Sequence, residues 1–125
     1  MILDTNGLSA LADGESALEP ILRGAAKVAV PVIVLGEYRY GIGQSRDRQR
    51  YEQWLTEVLR NFRILDVDQE TAASYASLRM ELRKAGTPIP SNDAWIAALC
   101  RQHTDSLLSR DRHFDLVAGI QRIDW

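Results

Sequence analysis

Short apolar runs and helical patterns alternate along the whole sequence, and this alternation constrains the fold more than any other feature. Each run suits a short buried strand. Strands that alternate with helices predict a parallel sheet with helices on both faces. We therefore expect an α/β fold with a central parallel sheet of four to five strands flanked by helices. The predicted strands cover residues 1–3, 27–30, 63–67, 106–108 and 119–123.

Capping residues, glycine and proline mark the ends of the predicted helices. The clearest amphipathic helix covers Arg46–Phe62, where apolar residues recur at intervals of three and four positions. Asp68 is typical of an N-cap, and its helix is expected to run to about Ala85 and to end at Gly86. The other predicted helices are one or two short ones between Gly7 and Gly24, one from Pro31 to about Ile42, and one capped by Ser91 or Asn92 that runs to about His103.

Composition excludes several classes of protein. A chain of 125 residues is expected to form one domain, residues 1–125, and to bury a core without disulfides. No apolar run approaches the roughly 20 residues of a membrane span. No basic segment with an apolar leader opens the sequence, and the single Cys100 cannot form an internal disulfide, so we expect a cytoplasmic protein with no membrane partner. The net charge of −2 argues against a broad surface for polyanions.

Two aspartates directly follow predicted strands. Asp4 ends the first apolar run, and Asp111 comes just after Leu107–Leu108. Ligand sites of open α/β sheets collect at the carboxyl ends of strands. Both positions also suit a turn or a helix cap, which Asp favours. Asp115, four residues further on, competes with Asp111 for the same role.

Two further carboxylates share a helix face with apolar side chains. Glu37 lies on such a face of the predicted helix to Ile42, and Asp93 on that of the helix to His103. An ionised carboxylate there is costly unless it is paired or bound to a metal ion. A partner such as Arg39 would explain Glu37 without chemistry, and the helix macrodipole would explain Asp93 in a first turn.

The four carboxylates are expected to converge near one edge of the sheet. Like charges at close range repel each other unless a cation lies between them. Oxygen ligands suit Mg²⁺ or Mn²⁺, whereas the scarcity of Cys and His argues against structural zinc. We therefore predict a divalent-cation site, with both histidines, His103 and His113, outside it.

Four short motifs resemble those of a known family. In order they are Leu3-Asp4-Thr5-Asn6, Gly36-Glu37-Tyr38-Arg39-Tyr40-Gly41, Asn92-Asp93-Ala94-Trp95-Ile96-Ala97-Ala98 and Leu108-Ser109-Arg110-Asp111-Arg112-His113-Phe114. Their order and spacing resemble PIN-domain nucleases and, within these, VapC-type toxins of toxin–antitoxin pairs. The resemblance runs from Met1 to Trp125 and implies the three-layer PIN-like fold as a single nuclease domain.

The resemblance also implies roles for individual residues. The residues that match the catalytic and metal-binding acids are Asp4, Glu37, Asp93 and Asp111, with Asp115 as the fallback for the fourth. The residues that match supporting positions around them are Thr5, Asn6, Asn92 and Ser109. Arg110 and Arg112 are candidates to hold RNA phosphates by bidentate contacts.

The activity implied by the resemblance is that of a metal-dependent endoribonuclease. Carboxylates would hold one or two Mg²⁺ ions, or Mn²⁺, and a metal-activated water would cleave structured RNA such as a tRNA or rRNA loop. The implied partners are a cognate antitoxin, docked in a groove beside Tyr38–Gly43 and the Arg46–Phe62 helix, and a second copy of the chain in a homodimer that joins the antitoxin in a higher complex. The alternative is a PIN domain that binds RNA or protein without catalysis. A receiver-like signalling domain fits less well, because Asp4 has no acidic neighbour.

Overall fold

The computed structural model describes all 125 residues and contains five strands and six α-helices. The strands, β1 to β5, cover Ile2–Leu3, Ala29–Pro31, Arg63–Leu65, Leu107–Leu108 and Arg122–Ile123. The α-helices, α1 to α6, cover Thr5–Ala12, Leu18–Arg23, Val32–Ile42, Arg48–Val58, Gln69–Ala85 and Ser91–His103, and a 3₁₀ helix covers Arg112–Leu116. All strand pairs are parallel, in the order β3-β2-β1-β4-β5. The predicted α/β fold with a parallel sheet is confirmed.

Helix α5 has the ends that its sequence predicts. The Asp68 carboxylate accepts a hydrogen bond from the Thr71 backbone N–H at 2.9 Å, and the Asp68 N–H donates to the Thr71 hydroxyl at 3.1 Å. This reciprocal pair satisfies amide groups that the first turn leaves free. Gly86 ends the helix with φ at 73°, a left-handed conformation that glycine adopts without strain.

Three predicted boundaries of other helices were wrong, namely both ends of α4 and the N-cap of α6. Helix α4 begins at Arg48 and ends at Val58, so it is shorter at both ends than the predicted helix over residues 46–62. Turn hydrogen bonds take over on either side of it, for example between the Asn61 N–H and the Val58 carbonyl. The N-cap of α6 is Pro90, because the Pro90 carbonyl accepts the first helical hydrogen bond from the Ala94 N–H at 3.0 Å.

The strand order places a switch in direction between β1 and β4. From β1 the chain builds the sheet outward through β2 to β3, and it then returns to add β4 and β5 on the other side of β1. In such sheets a crevice opens outside the carboxyl ends of the two strands at the switch. Asp4 follows β1 and Ser109 follows β4, so both residues lie at this crevice.

Apolar packing holds the two switch strands in place. Ile2 and Leu3 of β1 and Leu107 and Leu108 of β4 are completely buried. Burial of each such side chain contributes about 1.5–3 kcal/mol. Only three polar residues are buried in the whole chain, namely Asp4, Thr71 and Ser109, and two of these are at the switch.

None of the helices combines the length and the apolar character needed to cross a membrane.

Candidate active site

Asp4 is both a strand-end residue and a helix N-cap. It is 4% exposed, and its Oδ1 accepts a hydrogen bond of 2.7 Å from the backbone N–H of Gly7 in the first turn of α1. Its Oδ2 accepts a hydrogen bond from the Ser109 hydroxyl. Burial raises the pKa of Asp4, these two hydrogen bonds lower it, and the nearby charges of Asp111 and Glu37 raise it. Capping and a functional role are therefore compatible at this position.

Ser109 joins the ends of the two switch strands. Its side chain donates to Asp4 across 105 residues of sequence and accepts a hydrogen bond of 2.9 Å from the backbone N–H of Asp111. Ser109 is fully buried, and its own N–H donates to the Ile123 carbonyl of β5 at 3.0 Å. One hydroxyl thus fixes the position of Asp4 relative to the segment that carries Asp111.

Glu37 is half-buried on α3 and is held by neutral donors. The Thr5 hydroxyl donates to Oε1 at 2.9 Å, and the Asn92 side-chain amide donates to Oε2 at 3.2 Å. No ion pair involves Glu37, so pairing with Arg39 does not explain its inward position. The carboxylate is oriented on both oxygens while its negative charge stays uncompensated.

Asp93, Asp111 and His113 form the tightest group of ligand-type atoms. The Nδ1 atom of His113 lies 3.1 Å from Oδ1 of Asp111 and 3.6 Å from Oδ2 of Asp93. One ligand atom from each of the three residues lies within 4.8 Å of the others. Burial raises the pKa of Asp93, and the Asp111 charge raises it further, while His113 lowers it.

The prediction that His113 lies outside the cluster was wrong. Asp111 caps the 3₁₀ helix by accepting a hydrogen bond of 2.9 Å from the His113 backbone N–H, and this turn brings the imidazole back to the carboxylates. The signal in the sequence is the Asp-x-His spacing, which a capping turn converts into proximity. His103, the other histidine, lies in the last turn of α6 and belongs to no such group.

Asp115 and the arginines beside the site have other contacts. Asp115 forms a bidentate ion pair with Arg122, at 2.8 and 3.0 Å, which lowers the pKa of Asp115. Arg110 contacts Glu15 at 2.6 Å, and its guanidinium lies 4.8 Å from the centre of the Trp125 ring. Arg112 is exposed and forms no ion pair. Of these groups, Arg112 is the one whose charge is not already engaged.

The remaining supporting positions differ in what they contact. Asn6 is exposed and takes no part in the hydrogen bonds to the four carboxylates. Gly7 was not among the predicted site residues. It is buried, and a Cβ added there would lie 3.1 Å from the Leu108 carbonyl and 3.2 Å from Oδ1 of Asp4. Glycine at this position lets the first turn of α1 lie close to the Leu108 carbonyl and the Asp4 carboxylate. The Asp-x-x-Gly spacing after a strand was the available signal.

The donors fit a divalent cation. Asp4 and Asp93 are each near the charges of Asp111 and Glu37, and no Lys or Arg forms an ion pair with any of these four carboxylates. Only Asp93 and Asp111 belong to the group of ligand atoms within 4.8 Å of one another. The raised pKa values of Asp4 and Asp93 indicate that burial and mutual repulsion disfavour their charges in the protein alone. A divalent cation among the carboxylates would remove both penalties.

Comparisons with known proteins agree with this geometry. The PIN domain family model matches residues 1–120. Ribonuclease VapC2 of Haemophilus influenzae is 31% identical over 104 residues, which span 82% of this chain and 79% of the relative. The solved structure of VapBC2 from Rickettsia felis, bound to a DNA fragment from its promoter, has a TM-score of 0.89 at 25% identity and covers 99% of this chain and 97% of that chain.

A second solved structure has a higher sequence identity. VapBC-5 from Mycobacterium tuberculosis, a member of the VapBC family of toxin–antitoxin systems, is 28% identical with a TM-score of 0.76, covering 99% of this chain and 97% of that chain. The family model spans nearly the whole sequence, and the relative from Haemophilus influenzae exceeds 30% identity over most of both chains. The chain therefore belongs to the PIN domain family, within its VapC group.

Proposed function

We propose that this protein is a divalent-cation-dependent endoribonuclease and the toxin of a toxin–antitoxin pair. The observation that carries the proposal is a group of four carboxylates, none paired with Lys or Arg, in which Asp4 and Asp93 are each near the charges of Asp111 and Glu37. The relative named a ribonuclease and the solved VapBC structures support the substrate class and the toxin role.

Asp4, Glu37, Asp93 and Asp111 would hold Mg²⁺ or Mn²⁺ in this proposal. When bound, such an ion lowers the pKa of a water and offsets the charge that builds up on the scissile phosphate. The other requirement is that the carboxylates keep fixed positions, because misplacement of ligands weakens both binding and catalysis. Ser109 orients Asp4, while Thr5 and Asn92 orient Glu37.

The exposed Arg112 is the better candidate for a contact to RNA phosphate. It follows Asp111 directly, at the edge of the crevice, and forms no ion pair within the protein. Arg110 would first have to leave Glu15 and the Trp125 ring. Arginine suits this role because its planar guanidinium contacts two phosphate oxygens at once.

An antitoxin and a second copy of the chain are the proposed protein partners. A groove between α1, α3 and α4 is lined by Ala12, Asp13, Tyr38, Gly41, Ile42 and Tyr51. The groove lies beside the predicted docking segment Tyr38–Gly43, and its lining combines apolar and polar side chains. Such a groove suits an amphipathic segment of a partner.

The test is cleavage of a mixed pool of structured RNA by the purified protein. We expect cutting with Mg²⁺ or Mn²⁺, none with EDTA, and a loss of at least about 100-fold in Asp4→Asn and in Asp93→Asn, because each change removes a charged oxygen ligand. Asp66→Asn is the matched control, since Asp66 follows β3 at the same edge of the sheet but is exposed. Equal cutting by all folded variants, or cutting in EDTA, would contradict the proposed mechanism. No cutting by the folded wild type with either ion would also contradict the proposal and leave binding of RNA or protein as the better account.

A further inference from the structure

His113 gives the cation site a donor that the acidic residues lack. Its Nδ1 atom is 3.1 Å from Asp111 Oδ1 and 3.6 Å from Asp93 Oδ2. Two ligands that bind one ion at about 2.1 Å and at right angles lie about 3 Å apart. The two observed distances are therefore close to those between neighbouring ligands of a single ion.

The backbone, rather than chance side-chain packing, brings the imidazole to this position. Asp111 is the N-cap of the 3₁₀ helix and accepts a hydrogen bond of 2.9 Å from the His113 N–H. The next residue, Phe114, is 1% exposed and anchors the turn in the core. The His113 ring itself is 52% exposed, so an ion and its remaining water ligands could approach from the solvent side.

In the protein without an ion, the same nitrogen has a different role. A protonated Nδ1 would donate to the two carboxylates, which explains the short distances without a metal. A bound cation would take the place of that proton, since a metal-ligating imidazole binds through a free nitrogen lone pair. The two states need little movement of the three side chains, because the donor atoms already lie within 4.8 Å of one another.

We propose that His113 is a nitrogen ligand of the cation held by Asp93 and Asp111, and that it makes the site favour transition ions over Mg²⁺. This inference rests on the proposed function, because it concerns the same cation. Carboxylate oxygen suits Mg²⁺, whereas imidazole nitrogen suits transition ions such as Co²⁺ and Zn²⁺. A site of carboxylates with one imidazole should therefore separate the two kinds of ion more strongly than carboxylates alone.

The experiment is calorimetric titration of the protein with Co²⁺ and, separately, with Mg²⁺. We compare the wild type with His113→Asn, which keeps a polar side chain but removes the imidazole, and with His103→Asn as the matched control for loss of a histidine. In His113→Asn we expect the Kd for Co²⁺ to rise by at least about tenfold and the Kd for Mg²⁺ to change by less than about twofold. In His103→Asn neither Kd should change.

A spectroscopic readout tests ligation directly. The Co²⁺-loaded wild type and His103→Asn should each give a paramagnetically shifted, exchangeable imidazole N–H proton resonance, which is absent from His113→Asn. Equal losses of Co²⁺ and Mg²⁺ affinity in His113→Asn, or no loss of either, would overturn the inference even if RNA cleavage stays dependent on Mg²⁺. Failure of the proposed function looks different, because RNA cleavage would then be absent or insensitive to Asp93→Asn, whatever His113→Asn does to the Kd for Co²⁺.

Discussion

Removal of the Ser109 hydroxyl tests whether this hydroxyl stabilises the charged form of the buried Asp4. In Ser109→Ala, Oδ2 of the buried Asp4 loses its donor, and the Asp111 N–H loses its acceptor. A hydrogen bond to a charged group contributes about 1.5–3 kcal/mol and one between neutral groups about 1 kcal/mol. We therefore expect a loss of about 2–4 kcal/mol in the free energy of unfolding at pH 7 without divalent ions.

Urea unfolding measures this loss. With the slopes typical of small proteins, the midpoint should fall by about 1–2 M. A double-mutant cycle with Asp4→Ala isolates the contact, because Ser109→Ala should cost at least about 1.5 kcal/mol less once the carboxylate is gone. The Ser109 hydrogen bond lowers the pKa of Asp4, so the cost of Ser109→Ala should also shrink as acid protonates Asp4. Equal costs in both backgrounds, independent of pH, would refute the account of Ser109 as the partner of a charged Asp4.

Gly7, Tyr38 and Asp4 each lead to one further expectation. Gly7→Ala should destabilise the protein by about 1–3 kcal/mol and reduce RNA cleavage, because the added Cβ would crowd Asp4 and the Leu108 carbonyl. Thermal melts and cleavage rates measure both effects, and a variant that is fully active and stable would contradict the expectation. Tyr38→Phe should leave stability unchanged or raise it by about 1 kcal/mol, because the buried Tyr38 hydroxyl has no partner; a large loss in urea unfolding would show that the hydroxyl is satisfied. The pKa of Asp4 is raised above its ordinary value of 3.8, so the contribution of Asp4 to stability is complete below pH 3.8 and is lost as pH rises through the raised pKa. Without metal ions, Asp4→Asn should therefore have a higher melting temperature than the wild type at pH 7 but not below pH 3.8. A difference in melting temperature that stays constant across pH would contradict this expectation.

The fold could be predicted because local and global signals agree. Apolar runs separated by amphipathic helices leave few options other than a parallel α/β sheet. The residues that cap α5, namely Asp68, Thr71 and Gly86, are of types common at helix ends. The ends of α4 were predicted less well, since its apolar pattern continues into turn residues that are not helical. Periodicity reports which side faces the core, and not where the hydrogen-bond ladder stops.

The site divides in a similar way. Glu37 and Asp93 were visible as carboxylates on apolar helix faces, and Asp4 and Asp111 as aspartates that follow apolar runs. Their catalytic roles came from the resemblance to PIN-domain nucleases and stay predictions. The spacings that involve His113 and Gly7 were present in the sequence but did not by themselves place either residue at the site. The placement depends on the capping turn of the 3₁₀ helix in one case and on the close approach of α1 to β4 in the other. Similarly, the ion pairs of Arg110 with Glu15 and of Asp115 with Arg122 could be found only from the structure.

The position of β4 beside β1 has a consequence for protein synthesis. Asp4 leaves the ribosome before its partner Ser109, which lies 105 residues later and follows the strand that flanks β1. A growing chain that stops before β4 lacks Asp111 and Ser109 and leaves one side of β1 unpaired. Likewise, a chain divided between α4 and β3 would carry Asp4 and Glu37 on one fragment and Asp93 and Asp111 on the other. In the proposed nuclease, truncated products of translation would thus lack part of the carboxylate group, and an RNA-cutting site would form only once both halves have been made and have assembled.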